Sequence, residues 1–290
     1  MSKRSSALRV LAMTAGLVLL TTSTASAKPS SPPTPGGAVF LVTDLNGVNA
    51  PAADPDGTGR VVVRIQGTQL CYFVQWNNIL APFTAHIHRA PVGVNGPVAI
   101  GFWGGQLPDS VRAVTGCVTA SPETLAAVLA TPQDFYANVH DATYPGGAIK
   151  GQLRALGRGV DFNELVRRSL TAQMDGMQEV PTAGDPDGRG VGHAQLRGGT
   201  TVRFAFLWSA IAAPSAAHIH VGGVAQAGPV VVPLFSAPTG LPAALNGVAG
   251  EVQADAAVVA QIRKRPAGYY LNLHNAEFPA GAIRGQLTSH

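Results

Sequence analysis

One histidine-centred pattern occurs twice in this chain of 290 residues, and the repetition constrains the fold more than any other feature. Residues 85–88 and 217–220 both read Ala-His-Ile-His. The segment Tyr-Ala-Asn-Val-His at 136–140 returns as Tyr-Leu-Asn-Leu-His at 270–274. Each copy then continues into Pro-x-Gly-Ala-Ile-(Lys/Arg)-Gly-Gln-Leu. The same motifs in the same order predict two similar domains in tandem.

The N-terminal segment is typical of a signal peptide. Positive residues occur within the first nine positions, an apolar stretch follows at 10–20, and Ala-Ser-Ala at 25–27 forms a small-x-small cleavage site. The apolar stretch is shorter than the roughly 20 residues that a membrane-spanning helix needs. We therefore expect cleavage after Ala27, secretion to the extracellular space and no membrane span.

Composition favours a secreted all-β protein. Charged residues make up only 12% of the chain, below the usual quarter, and the sequence contains 34 glycines and 22 prolines. The formal net charge of +4 includes three charges from the predicted signal peptide, so the mature chain is nearly neutral. The basic composition of the whole chain is therefore no evidence for nucleic-acid binding, and we expect no nucleic-acid partner.

Short alternating apolar runs predict paired antiparallel strands, and capping residues at Ser121 and Asp255 each predict one short helix. The expected fold class is all-β, with two tandem antiparallel Greek-key or immunoglobulin-like β-sandwich domains that each carry one short helix. The predicted segments are a signal peptide at 1–27, a Pro-rich linker at 28–37, domain 1 at 38–155, a linker at 156–168 and domain 2 at 169–288.

The two cysteines, Cys71 and Cys117, are expected to form a disulfide in an oxidising compartment. Alignment of the two copies places Arg203 and Glu251 where the first copy has its cysteines. A covalent bond in one copy and an ion pair in the other indicate neighbouring positions on adjacent strands. The alternative is a pair of reduced, buried thiols.

The histidines of each copy form a candidate metal site. Side chains at i and i+2 of a strand point to the same face, about 6–7 Å apart, so each His-x-His pair stands side by side. If the strand with the later histidine lies alongside, three imidazoles converge as in known zinc or copper sites. The alternative is a structural cluster in which the rings hydrogen-bond to neighbouring backbone. The candidate ligands are His86, His88, His140, His218, His220 and His274.

Other catalytic patterns are missing from the sequence. It contains no Gly-x-Ser-x-Gly elbow and no phosphate-binding glycine loop, and no pair of carboxylates recurs in both copies. We therefore assign no catalytic residue and expect a protein that is not an enzyme.

Taken together, the motifs resemble the CHRD domain, named after chordin. They comprise Ala-His-Ile-His, the Gly-Pro-Val of 96–98 and 228–230, Asn-x-His and the glycine-rich tail. The second copy also has the opening Gly-x-x-Glu-Val-Pro at 176–181, whereas the first copy lacks the acid at 47–51. The resemblance implies an extracellular β-rich module without an agreed activity, and its partner would be an extracellular protein or glycan. The cysteine-rich growth-factor-binding modules of animal chordins have no counterpart here.

A second resemblance is to copper/zinc superoxide dismutase, a Greek-key sandwich with a His-x-His strand and a later histidine. No histidine occurs between 88 and 140 or between 220 and 274, so the metal-bridging histidine and the zinc-loop cluster lack counterparts. Three function classes remain: a non-catalytic module with a metal site in each domain, a copper/zinc metalloenzyme, and a metal-free structural or glycan- and protein-binding module.

Overall fold

The computed structural model describes most of the two repeats. The described residues are 37–48, 53–91, 93–156 and 169–289. The predicted signal peptide and, apart from residues 37 and 156, the two predicted linkers lie outside them. No helix in the described part of the chain is long and apolar enough to cross a membrane.

The described residues of the first repeat form nine strands and one helix. They are β1 (Val39–Asn46), β2 (Thr58–Gln66), β3 (Gln69–Asn77), β4 (Thr84–Arg89), β5 (Val98–Gly104), β6 (Val111–Thr119), α1 (Pro122–Ala130), β7 (Phe135–His140), β8 (Ile149–Gln152) and β9 (Arg154–Ala155). A 3-10 turn at Pro132–Asp134 connects α1 to β7.

The second repeat follows the same order. Its elements are β10 (Leu170–Asp175), β11 (Arg189–Arg197), β12 (Thr201–Ser209), β13 (Pro214–Val221), β14 (Val230–Ser236), β15 (Leu245–Gln253), α2 (Ala256–Lys264), β16 (Tyr269–Asn275) and β17 (Ile283–Gln286). Short 3-10 turns lie at Gly176–Gln178 and Pro266–Gly268.

Each repeat is a sandwich of two antiparallel sheets. In the first repeat the sheets have strand orders β1-β2-β3-β6 and β5-β4-β7-β8. In the second repeat the orders are β10-β11-β12-β15 and β14-β13-β16-β17. The first strand of each repeat also joins the two sheets at one corner, where Asn46 pairs with Lys150 and Asp175 pairs with Arg284. In the first repeat β9 extends this junction, because it pairs with β1 at Leu41 and Val42. The predicted all-β fold class with two short helices is confirmed.

Alternation along the strands builds the core between the sheets. In β3 the side chains of Leu70, Tyr72, Val74 and Trp76 are buried, while the residues between them are more exposed. β7 is buried at every position, because it is a central strand of its sheet. A central, fully buried strand therefore carries His140.

The helices begin as the sequence predicts. The Ser121 hydroxyl accepts a hydrogen bond from the backbone N–H of Thr124, and Pro122 occupies the first turn. The Asp255 carboxylate accepts hydrogen bonds from the backbone N–H groups of Ala257 and Val258. These side chains satisfy helical N–H groups that have no partner within the helix.

Cys71 and Cys117 are directly opposite each other on β3 and β6 and form a disulfide. In the second repeat, Arg203 and Glu251 are opposite each other on β12 and β15, and the guanidinium Nε lies 2.6 Å from the carboxylate. The exchange of a disulfide for an ion pair, inferred from the alignment, is therefore present at equivalent positions of the two sheets.

The two repeats share a sheet. β6 pairs antiparallel with β15, so one continuous sheet contains the strands β1-β2-β3-β6-β15-β12-β11-β10 in this order. Val114 is opposite its own equivalent, Val248, at the centre of a local two-fold relationship. The equivalent glycines Gly116 and Gly250 permit the close approach, because an added Cβ would lie 2.1 Å from a backbone oxygen of the other repeat. Shared backbone hydrogen bonds make the repeats one structural unit.

Because of the disulfide, we expect the Cys71→Ser variant to be much less stable than wild type. The bond closes a loop with a sequence separation of 46 residues, for which the chain-entropy model gives roughly 4 kcal/mol. The matched variant Arg203→Ser breaks an exposed ion pair and should cost about 0–1 kcal/mol. Urea unfolding without reductant measures both values. Equal stability of Cys71→Ser and wild type would contradict the role given to the disulfide.

The shared sheet predicts that Gly250→Ala destabilises the whole chain. The added methyl group would meet the Ser110 backbone oxygen, and overpacking of this kind costs about 1–3 kcal/mol. Gly199→Ala is the control, because its added methyl group meets no atom within 4 Å. Thermal unfolding should give one cooperative transition in wild type and a lower Tm in Gly250→Ala only. Equal Tm values for the two variants would contradict the close inter-repeat contact.

Candidate metal centre

The pairing of β4 with β7 brings the first three histidines to one face of one sheet. Thr84 is opposite His140, and His86 is opposite Asn138. Residues opposite each other share a face, as do residues two apart along a strand, so His86, His88 and His140 are neighbours. The pairing of β13 with β16 repeats this arrangement, with Ala216 opposite His274.

In both repeats, the structure brings together all three histidines that the sequence predicts as candidate metal ligands. One ring nitrogen from each of His86, His88 and His140 lies within 4.8 Å of the other two, and the second trio meets the same limit. Nδ1 of His86 is 3.3 Å from Nε2 of His140. Ligands about 2.0–2.1 Å from one tetrahedral ion would be about 3.4 Å apart, so this pair already has the required spacing.

Backbone carbonyl groups fix the tautomers of the buried rings. Nδ1 of His88 lies 2.9 Å from the Gly96 oxygen, and Nδ1 of His140 lies 2.9 Å from the Pro145 oxygen. A carbonyl oxygen can only accept, so each Nδ1 carries the proton and each Nε2 keeps a lone pair. The second repeat has the same bonds: Nδ1 of His220 donates to Gly228 and Nδ1 of His274 donates to Pro279.

Among the described residues, the lone-pair nitrogen of the second histidine of each repeat has no hydrogen-bond partner. Nε2 of His88 and Nε2 of His220 are both buried and accept no hydrogen bond from the described residues. A buried polar atom without a partner costs about 1–3 kcal/mol. An unpaired, buried Nε2 atom at the same position in both repeats is the strongest single indication that a ligand binds there.

The electrostatic environment favours the neutral form of the first and third histidines of each trio. Burial lowers the pKa of His86 to about 4, and the neighbouring His140 and His88 add to this effect. Burial, with His274 and His220 beside it, likewise lowers the pKa of His218 to about 4. The pKa values of His140 and His274 are also lowered, mainly by burial. Neutral imidazole is the form that binds metal ions.

A tyrosine supports the second histidine of each trio, a role that the sequence reasoning did not assign. The His88 and Tyr136 rings are stacked with centroids 4.9 Å apart, and the Tyr136 hydroxyl accepts a hydrogen bond from the Gly96 N–H. His220 and Tyr270 are stacked in the same way, 4.8 Å apart. The signal in the sequence was the tyrosine four residues before each late histidine, because strand pairing places it opposite the second histidine.

A cation covers the tyrosine in each repeat. Nζ of Lys150 is 5.3 Å from the centre of the Tyr136 ring. In the second repeat the Arg284 guanidinium carbon is 3.4 Å from the centre of the Tyr270 ring. Arg284 also donates hydrogen bonds to the backbone oxygens of Gly223 and Gln226. These contacts hold the β13–β14 loop beside the histidines.

The acid of the Gly-x-x-Glu-Val-Pro motif, Glu179, is buried in the second repeat. Its Oε2 accepts a hydrogen bond from Asn272, and all three carboxyl atoms press against Gly281, at a distance where no Cβ would fit. Burial raises the pKa of Glu179 to about 7, whereas Arg284 and the Asn272 hydrogen bond act in the opposite direction. In the corresponding segment of the first repeat, 47–51, residues 49–51 lie outside the described residues.

Two segments that together make up most of the chain match one family. The family model for the CHRD domain matches residues 41–153 and again residues 170–287. This chain is a member of the CHRD domain family. The histidine trio of each repeat lies within a CHRD domain. None of the curated proteins compared with the chain matches it.

From the raised pKa of Glu179 we expect the stability of the second CHRD domain to depend on pH. Its pKa rises from an ordinary 4.5 to about 7 on folding, so the folded state holds a proton that the unfolded state releases. The resulting stability is present below pH 4.5 and is lost as the pH rises through about 7. Glu179→Gln keeps the shape without the charge and should therefore have a Tm a few degrees above wild type at alkaline pH only.

The measurement is thermal unfolding of wild type and Glu179→Gln across this pH range. The control is Glu277→Gln, which neutralises an exposed glutamate of the same domain and should follow wild type at every pH. A constant difference between Glu179→Gln and wild type at all pH values would contradict the buried, protonated carboxyl group.

Proposed function

We propose that this CHRD protein is a secreted, non-catalytic binding module in which each domain holds one zinc or copper ion through three histidines. The observation that carries the proposal is the orphaned, buried Nε2 of His88 and of His220, each beside two further imidazoles. Secretion is supported by the disulfide and by the CHRD family, whose domains are extracellular-type modules.

The donor set favours zinc or copper over other common ions. Each trio offers three imidazole nitrogens and no carboxylate. Calcium and magnesium prefer oxygen ligands, whereas imidazole suits zinc and copper. In the first domain, Nδ1 of His86 and the Nε2 atoms of His88 and His140 would hold the ion, because the remaining ring nitrogens are engaged elsewhere.

Three protein ligands leave a coordination position for a donor from outside the domain. His86 of the first trio, and His218 and His274 of the second, are only partly buried, which leaves each centre accessible from the surface. A bound ion would supply a fixed positive charge with a vacant position for an imidazole, carboxylate or hydroxyl group. An extracellular protein or a glycan carries such groups, and we propose one of these as the partner.

Two other functions use the same observations. A copper/zinc oxidoreductase resembling superoxide dismutase would use the vacant position for its substrate. A metal-free structural module would use the histidines only for their hydrogen bonds to Gly96, Pro145 and the equivalent carbonyl groups. Metal content and superoxide dismutation distinguish these two alternatives from the proposal.

Metal analysis of tag-free mature protein should give two ions per chain after incubation with zinc or copper and removal of free metal. His88→Ala and His220→Ala should each lower the ratio from two to one, because each removes a ligand from one domain. His193→Ala is the control and should retain two ions, because His193 lies elsewhere and hydrogen-bonds to Ser169 and Thr171.

Each other outcome points to a different function. A metal-to-protein ratio near zero would overturn the proposal and favour the metal-free module. Two ions per chain together with rapid dismutation of superoxide, lost in both ligand variants, would favour the oxidoreductase. Two ions without dismutation is the result that the proposal predicts.

A further inference from the structure

One difference between the two histidine centres is a residue that hydrogen-bonds to a ligand ring in the first centre. Thr84 lies two residues before His86 on β4, and the equivalent residue of β13 is Ala216. The register confirms the equivalence, because Thr84 is opposite His140 and Ala216 is opposite His274. Ala216 therefore lacks both the hydroxyl group and the γ-methyl group that Thr84 has in the first centre.

Thr84 fixes the tautomer of His86 through two consecutive hydrogen bonds. Its hydroxyl donates to the backbone oxygen of Trp103, 2.7 Å away, and this commits the only proton of the hydroxyl group. The hydroxyl oxygen is also 3.0 Å from Nε2 of His86, so it must accept from an Nε2–H group. Nδ1 of His86 is consequently left with a lone pair.

This tautomer places two lone pairs face to face in the first centre. Nε2 of His140 also keeps a lone pair, because its Nδ1 donates to Pro145. The two acceptor nitrogens are 3.3 Å apart and repel each other until a cation or a proton lies between them. The first centre is thus preset to receive a cation without any proton rearrangement.

The second centre lacks this restraint. The Ala216 methyl group cannot accept a hydrogen bond, so His218 can carry its proton on Nδ1. Nδ1 of His218 is 3.0 Å from Nε2 of His274, an ordinary donor–acceptor distance. A metal ion entering this centre must first displace that proton and shift the tautomer of His218.

We propose that Thr84 is a positioning residue that makes the centre of the first domain the tighter metal site, so that the two centres fill in sequence. The inference rests on the proposed metal-binding function. Partners that orient a metal-binding imidazole typically change metal affinity about 10- to 100-fold, and we expect a difference of this size between the two centres.

The test measures zinc affinity in the full mature chain by competition with a chromogenic chelator. The first centre is read in a His220→Ala background and the second in a His88→Ala background, so that each measurement reports one site. Thr84→Val, which keeps the shape of the side chain, should weaken the first centre about 10- to 100-fold. Thr84→Ser restores the hydroxyl group and should stay within about threefold of wild type. Ala216→Thr should tighten the second centre.

Nitrogen-15 NMR of the metal-free protein gives a readout that a merely structural role would not change. His86 should be the Nε2–H tautomer in wild type and Thr84→Ser, and should lose this preference in Thr84→Val. Equal affinities at the two centres, or an unchanged affinity and tautomer in a folded Thr84→Val variant, would overturn this inference alone. Absence of zinc from both centres would overturn the proposed function as well.

Discussion

The register between β4 and β7, repeated between β13 and β16, is the interaction on which the site depends. It places Thr84 opposite His140. The ring of His140 therefore lies on the same face of the sheet as the rings of His86 and His88, which come much earlier in the sequence. A slip of one residue would turn His140 to the other face of the sheet. The register is held from both sides, since β7 is central and buried and also pairs with β8.

Much of this geometry follows from local rules, and the rest depends on long-range packing. The His-x-His spacing predicts that the two rings of each pair share a face, and the Cys-to-Arg and Cys-to-Glu replacements predict neighbouring strands. The sequence does not reveal the pairing of β6 with β15, because the apolar pattern of a strand does not identify its partner. The hydrogen bond from Thr84 to Trp103 and the stacking of the Tyr136 ring on His88 also depend on backbone positions that only the folded sheet defines.

Duplication has preserved the scaffold while changing what surrounds each centre. The strand order and the backbone acceptors of the histidines are the same in both domains. The first domain has a disulfide and Lys150, whereas the second has an ion pair and Arg284 at the equivalent positions. These exchanges occur outside the rings, so the two domains share one site geometry and differ in the groups that surround it.

Crystals of the zinc-loaded protein would test the central claim most directly, through anomalous difference maps recorded on both sides of the zinc absorption edge. We predict one zinc ion in each CHRD domain, about 2.0–2.1 Å from Nδ1 of His86 and from the Nε2 atoms of His88 and His140 in the first domain, with the equivalent contacts in the second. Zinc found only away from both trios, or held by a single ring, would contradict the account.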